Sequence, residues 1–243
     1  MLYSNRRIQS TRKEMLHPQY DAIVIGAGIA GLVCGAFLAK TGKKVIIVEQ
    51  HSIPGGYCTS FTRRGFLFDA AVHHIGGCGK WSVVGRCFRT LGIEMDFYPL
   101  NPMDHLIFPN FNIEIPADLD EYITRLQARY PWEKDNIKDF FQDFIKLYRA
   151  TFNNEKSQII DTYKSQTYEE MLNSFFADNE LKMILSGQWG YIGLPPTQAS
   201  AIAMCQMMIN YLKDGAFFPA GGTQEFASAI CKKFIDFGGH IML

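Results

Sequence analysis

The sequence carries no excess of charge of either sign: 24 Lys and Arg stand against 24 Asp and Glu in 243 residues. Such a balance creates no broad field for a polyanion, so nucleic acid is not among the expected partners. It also has no Cys-x-x-Cys pair. Its six cysteines, Cys34, Cys58, Cys78, Cys87, Cys205 and Cys231, are scattered, unlike the spacings of zinc ribbons and redox dithiols. The N-terminus lacks the apolar core of a secretory signal, so a reducing, cytoplasmic setting with free thiols is expected. His73 and His74 lie near Cys78 but have no second ligand pair, and no metal is expected. One uncharged run, 18 residues over 22–39, is long enough to suggest a membrane span. Gly26, Gly28, Gly31 and Gly35 interrupt it, and Asp21 and Lys40 bracket it closely. A buried strand feeding a buried helix has the same composition, and that is the reading adopted.

What is present is ample material for a core, with 47% of residues hydrophobic and 14% aromatic, in a length suited to one or two domains. Between Tyr20 and Glu49 a strand pattern runs into Gly26-Ala-Gly28-Ile29-Ala30-Gly31, then a helix pattern, then Val45-Ile-Ile-Val-Glu49. The residue types suit a dinucleotide-binding β-α-β unit. Gly26 allows a tight turn, Gly28 leaves room for a pyrophosphate, and Gly31 lets the helix pack closely on the sheet. The helix N-terminus offers N–H donors to phosphate. Glu49 falls about 20 residues beyond the glycines, where a carboxylate accepts from ribose hydroxyls. Glycines used only for packing would leave Glu49 unexplained.

Further along, Gly55-Gly56 opens a turn and Phe66 and Phe68 share one face of an expected strand ending at Asp69. A hairpin is expected at Pro109-Asn110. Asp118, with Glu121 three residues on, predicts a helix start, and that helix ends near residue 130. Over 133–152, Ile137, Phe140, Phe141, Phe144, Ile145, Tyr148 and Phe152 recur at helical spacing and form an expected core face. Helices follow at 168–176, 180–185, 197–212 and 223–237. The third carries Met204, Met207 and Met208, side chains that suit a core or the wall of a lipophilic cavity; core is favoured. Residues 1–19 are basic and aperiodic and read as a disordered leader, with Met15 as an alternative start. The last residues begin a strand and stop after about three, fewer than the usual five or six.

The glycines at 26, 28 and 31, Glu49, the Gly55-Gly56 pair with Arg63, Arg64 and Asp69 beyond, and Pro219-x-Gly221-Gly222 before a helix occur in that order. In this combination the chain resembles the N-terminal half of the phytoene desaturases, carotenoid isomerases and retinol saturases, relatives of the flavin amine oxidases. The resemblance runs from Tyr20 to the end. It implies an α/β fold, a Rossmann-like FAD domain with an α+β substrate domain inserted. The expected division is 20–100 for the first part of the FAD domain, 101–215 for part of the substrate domain, and 216–243 for a return segment. The implied cofactor is FAD. Gly26, Gly28, Ile29, Ala30 and Gly31 would face the pyrophosphate, Glu49 and Gln50 the adenosine ribose, and Gly55, Gly56, Tyr57, Cys58 and Thr59 the region toward the flavin. Pro219, Gly221 and Gly222 would lie near the flavin ring and substrate mouth; a plain turn before a helix is the alternative.

The implied activity is that of an oxidoreductase or isomerase acting on a long apolar polyene, with peripheral membrane association as a means of reaching it. His73 and His74 are weak candidates for proton chemistry, a hydrogen-bonded structural role being the commoner one. An amine or porphyrinogen-type oxidase and a non-catalytic prenyl-binding chaperone of the same fold stay open as alternatives. Family members are about twice as long, so the chain is expected to be a fragment, a truncated product, or one half of a split protein with a separately encoded C-terminal half.

Overall fold

The structure, a computed structural model, describes residues 19–153 and 156–243. The leader expected over 1–19 lies, but for residue 19, outside them. Along the chain run β1 (Ala22–Ile25), α1 (Ile29–Lys40), β2 (Val45–Val48), β3 (Ser60–Arg63), β4 (Phe66–Asp69), β5 (Ile75–Gly76), α2 (Val83–Leu91), β6 (Phe97–Leu100), β7 (Asp104–Ile107) and β8 (Asn112–Ile115). Then come α3 (Leu119–Arg129), α4 (Lys134–Phe152), α5 (Gln158–Tyr163), α6 (Tyr168–Phe175), α7 (Asn179–Ser186), α8 (Ala201–Asp214), β9 (Ala216–Pro219), α9 (Thr223–Asp236) and β10 (His240–Met242). The uncharged run is thus divided between β1 and α1. No helix among the described residues is long and apolar enough to cross a membrane.

Two compact units emerge. The first holds the described residues through His73, together with Cys87–Asp96 and Pro219–Leu243. Its parallel sheet has the order β1-β2-β10, with Ala22 opposite Val45 and His240 opposite Ile46. The opening β-α-β unit therefore carries three strands rather than two, because β10 adds to the free edge of β2. Gly35 of α1 is what allows close packing here. A β-carbon there would come within 2.8 Å of Ile47 in β2 and 3.3 Å of Phe234 in α9. On β1, by contrast, Ile23 is 67% exposed and Ile25 90%.

The second unit comprises His74–Arg86 and Phe97–Phe218. It takes in 74–86 and 97–100, which a boundary at 101 assigns to the FAD domain. The physical reason is strand pairing: β5 is antiparallel to β9, Ile75 opposite Phe217, and β6 lies on the other side of β9. The hairpin β7–β8 forms around the expected turn, with Phe108 N–H donating to the Phe111 carbonyl at 2.9 Å. Asp118 caps α3 by accepting from Glu121 N–H at 2.8 Å.

The aromatic face of α4 is core. Ile137, Phe140, Phe141 and Phe144 are buried, and Phe140 meets Phe144 at 4.6 Å and Phe176 at 5.2 Å between ring centroids. Beyond Phe144 the buried stripe passes to Leu147 and Ala150, and Phe152 is exposed. The 3.6-residue repeat shifts the face that meets α8, which is why the expected set Ile145, Tyr148 and Phe152 is only partly buried or exposed. Helix α8 starts at Ala201, not 197, because Ser200 is extended and bridges Thr167. Helices α2 and α5, absent from the sequence reading, are short. Met204 and Met208 are buried core.

Phe144 has no exposed surface, packs against Phe140 and Tyr168, and its carbonyl accepts from the Cys205 thiol at 3.0 Å. Phe144→Ala should therefore lower unfolding free energy by about 3–5 kcal/mol in urea denaturation. A loss under about 1 kcal/mol would mean that the cluster is loosely packed.

Candidate functional site

The first unit gathers the glycine motifs around one residue. Gly26 leaves β1 at φ +97, a conformation open to glycine and rare for other residues. Ala27, fully buried, follows: its N–H donates to Glu49 Oε2 at 2.6 Å and its carbonyl accepts from Gly55 N–H at 2.8 Å. The second Glu49 oxygen accepts from His51 N–H at 2.8 Å. These donors, Ala27 first and His51 next, hold the Glu49 carboxyl below its ordinary value.

Gly28 and Gly31 then do different work. A β-carbon on Gly31 would collide with the Gly26 carbonyl oxygen and come within 3.3 Å of Val24, so this glycine is required by the turn itself. Gly28 sits at φ −68 and ψ 173, where any residue is at ease, and a β-carbon on it would meet nothing within 4 Å. The backbone conformation at this position therefore does not call for glycine. The space in front of Gly28 is open, and it lies at the N-cap of α1, whose first turn (Ile29, Ala30, Gly31) has no side-chain cap. That combination, an open approach to an uncapped helix start, suits a phosphate.

The Gly55-Gly56 turn lies directly on this loop. Gly28 and Gly55 form a parallel bridge, and a β-carbon on Gly56 (φ +59) would come within 3.1 Å of Gly28 Cα. Tyr57 projects outward at 83% exposure and Gln50 is exposed. Cys58 is buried, with its thiol pushed up by that burial and by the Asp69 charge. Thr59 Oγ1 donates to the Gly56 carbonyl at 2.9 Å.

Pro219, at the end of β9, leads through Gly221 (φ +84) into Gly222 (φ +90), the N-cap of α9. Glycine has no side chain with which to cap, and Asp69 supplies the missing carboxylate. It accepts from Thr223 N–H at 3.2 Å, from Thr223 Oγ1 at 2.9 Å and from Ser60 Oγ. Gln224 completes the clasp, donating to the Pro54 carbonyl at 2.9 Å and accepting from Ser60 N–H at 3.4 Å. The sequence marks Asp69 only as a motif residue and does not mark Gln224. The one signal in the sequence was a helix start with glycine at the cap, which implies a cap from elsewhere.

The two histidines part company. His73 is exposed. His74 is buried, edge-on to Tyr191 at 5.1 Å and Tyr211 at 4.7 Å between centroids, a packing position. Burial pushes the Cys78 thiol up to about 12, so it is unreactive. Among the described residues no group of His, Cys, Asp and Glu could hold a metal ion.

Residues 24–91 match the NAD(P)-binding Rossmann-like domain family. The chain is 31% identical over 238 residues to "All-trans-retinol 13,14-reductase" of Macaca fascicularis, covering 85% of this chain and 38% of that protein. It is 24% identical over 247 residues to "Prolycopene isomerase, chloroplastic" of Daucus carota, covering 92% and 40%. A solved structure of a putrescine oxidase variant matches with a TM-score of 0.64 at 14% identity, covering 92% of this chain and 50% of that one. The homologues are thus a retinol reductase and a carotenoid isomerase with an amine oxidase as fold neighbour, as the motifs implied. The chain spans about two fifths of the length of the curated relatives it matches.

Two outcomes follow from the geometry of the turn. Gly31→Val should lower the melting temperature markedly, with a cost at or above the ~1–3 kcal/mol of ordinary overpacking because the obstacle is backbone, while Gly28→Val should melt like the wild type by circular dichroism. Equal melts for both would contradict the division of roles. The depressed Glu49 carboxyl stabilises the fold above its ordinary value of 4.5, and this contribution is lost as pH falls through the lowered one. The stability difference between wild type and Glu49→Gln should therefore be constant from neutral pH down to about the ordinary value of 4.5 and shrink from there toward the lowered one. A difference that changes near pH 7 would point to another group.

Proposed function

We propose that this chain is the nucleotide-binding part of an FAD-dependent oxidoreductase or isomerase acting on a long apolar polyene of the retinoid or carotenoid class. The observation that carries the reading is the open approach to Gly28, with Glu49 tied through Ala27 to the same loop, in a chain whose homologues are a retinol reductase and a carotenoid isomerase. FAD is preferred over a nicotinamide cofactor because a second glycine turn, Gly55-Gly56, is built onto the first loop, and a second helix start, Gly222-Thr223, is tied to the β3–β4 hairpin by Asp69 and to Pro54 by Gln224.

In this reading Gly26, Gly28, Ile29, Ala30 and Gly31 hold the pyrophosphate and Glu49, with Gln50 beside it, holds the ribose. Residues 55–59 line the way to the flavin, and Pro219, Gly221 and Gly222 lie near its ring. When bound, FAD supplies hydride exchange with carbon. The chain's own part is to orient that group: the backbone of Ala27 fixes the loop, and Asp69 and Gln224 fix the start of α9 relative to it. His74, enclosed by tyrosine rings, is assigned to packing rather than proton transfer. The remaining length of the relatives would be supplied by further polypeptide, joined to this chain or separate, and a lipophilic substrate would be met at a membrane surface.

The test is flavin content of the full-length protein. Wild type should carry FAD, and Gly28→Val should lose it while keeping its melt. Glu49→Ala should weaken FAD by ~1.5–3 kcal/mol, the value of hydrogen bonds to a charged group. Full flavin in Gly28→Val would overturn the phosphate assignment. Turnover of an amine with none of a carotene or retinoid would overturn the substrate class.

A further inference from the structure

The β3–β4 hairpin of the first unit is anchored at its base. There Ser60 pairs with Asp69, Asp69 accepts from Thr223 Oγ1, and Ala70 N–H donates to the Thr59 carbonyl at 2.9 Å. At the tip Arg64 and Gly65 form a two-residue turn with φ +52 and +85. Asparagine before glycine is the favoured pair for a turn of this kind. Arg64 is the one non-glycine residue with positive φ among the described residues, so a cation stands at the tip against the preference of the backbone.

Alternation sorts the side chains. Phe61, Arg63, Phe66 and Phe68 share one face, and Ser60, Thr62, Leu67 and Asp69 share the other. On the first face Phe66 is 70% exposed and Phe61 and Phe68 about half, and the last two rings stack at 5.5 Å between centroids. Arg63 and Arg64 are exposed and make no ion pair among the described residues. The hairpin's one acid, Asp69, lies on the other face and is committed to Thr223 and Ser60.

Three rings beside two unpaired cations suit an apolar medium with an anionic boundary. A protein partner burying the usual ~800 Å² on its side needs a broader platform than four residue pairs. It would also leave Leu67 uncovered, 64% exposed on the opposite face. A lipid interface has no fixed shape and reaches both faces. Aromatic rings settle at its acyl boundary. Arginine lays its stem along apolar surface while the guanidinium meets phosphate. We propose that the β3–β4 hairpin docks the protein on a membrane bearing anionic phospholipid. Phe61, Phe66 and Phe68 enter the interface, and Arg63 and Arg64 pair with headgroup phosphates. The inference gives the membrane surface of the polyene reading a place on the fold, but the hairpin alone carries it.

The experiment is co-sedimentation of the full-length, FAD-loaded protein with vesicles of phosphatidylcholine, alone or mixed with phosphatidylserine. Binding should be stronger to the mixed vesicles and should weaken as salt is raised. Replacing both arginines, Arg63→Gln with Arg64→Gln, should lower partition into mixed vesicles by about thirtyfold, the product expected for two basic residues near the surface. Phe66→Ser should weaken binding to either vesicle. Flavin content should be unaltered in both variants, so failure here leaves the polyene reading standing. On the wild type, mixed vesicles should slow amide hydrogen exchange over residues 60–69, and this arm decides the matter if a variant loses its fold. Binding to neither vesicle, or protection confined elsewhere, overturns the docking surface. Equal binding to the two compositions overturns the headgroup assignment. A lowered melting temperature or a changed oligomeric state in Phe66→Ser would show the face covered by protein, either further polypeptide or a second copy, and overturns the proposal.

Discussion

The first unit depends on the backbone of Ala27, which is held from both sides. Its N–H is fixed by Glu49 at the end of β2 and its carbonyl by the N–H of Gly55. A buried residue without these partners would leave a main-chain donor and an acceptor unsatisfied, at a cost of about 1–3 kcal/mol for each group. Supplying them fixes three segments at once: the loop out of β1, the exit of β2 and the second glycine turn. The open space at Gly28 is a consequence. The backbone can present it because neighbours on either side prevent the loop from closing inward.

The start of α9 is organised by the same physics. Gly222 gives the chain a left-handed residue at a helix cap but no capping atom, so Asp69, 154 residues away from Thr223, provides one. A carboxylate at a helix N-terminus gains from the dipole as well as from the hydrogen bonds. Because Asp69 also accepts from Ser60, the β3–β4 hairpin and α9 are located by one side chain.

What the sequence made legible follows from the range of the forces. The β-α-β unit, the hairpin at Pro109-Asn110 and the Asp118 cap were readable because their causes lie within a few residues: a glycine conformation, a turn, an N-cap. The aromatic face of α4 was readable as far as Phe144. Past it, the choice between Leu147 and Tyr148 was made by where α8 crosses. Helix α8 began late because Ser200 found a partner in Thr167, a distant pairing that no local preference encodes. Placing β5 and β6 with the second unit likewise needed β9, more than a hundred residues downstream. The separate roles of Gly28 and Gly31 were expected from spacing, but only coordinates show that one glycine serves the turn and the other leaves space beyond it.

A carboxylate accepting from main-chain N–H groups recurs in the second unit, enclosed by the protein. Glu133 is 4% exposed and accepts from Ala177 N–H and Asp178 N–H, each at 3.0 Å, and from Asn136 Nδ2 at 2.6 Å. Burying a charge is tolerable when its oxygens are answered in this way. The device by itself therefore says nothing about function. Glu49 differs in having one main-chain donor on each oxygen and a part-open position beside an uncapped helix start. A carboxylate oxygen has room for about two partners, so Glu49 keeps acceptor capacity directed at accessible space. Glu133, enclosed and already serving three donors, is a structural clamp. In the proposed function, what separates Glu49 from the clamp at Glu133 is acceptor capacity left over after the fold has taken its share.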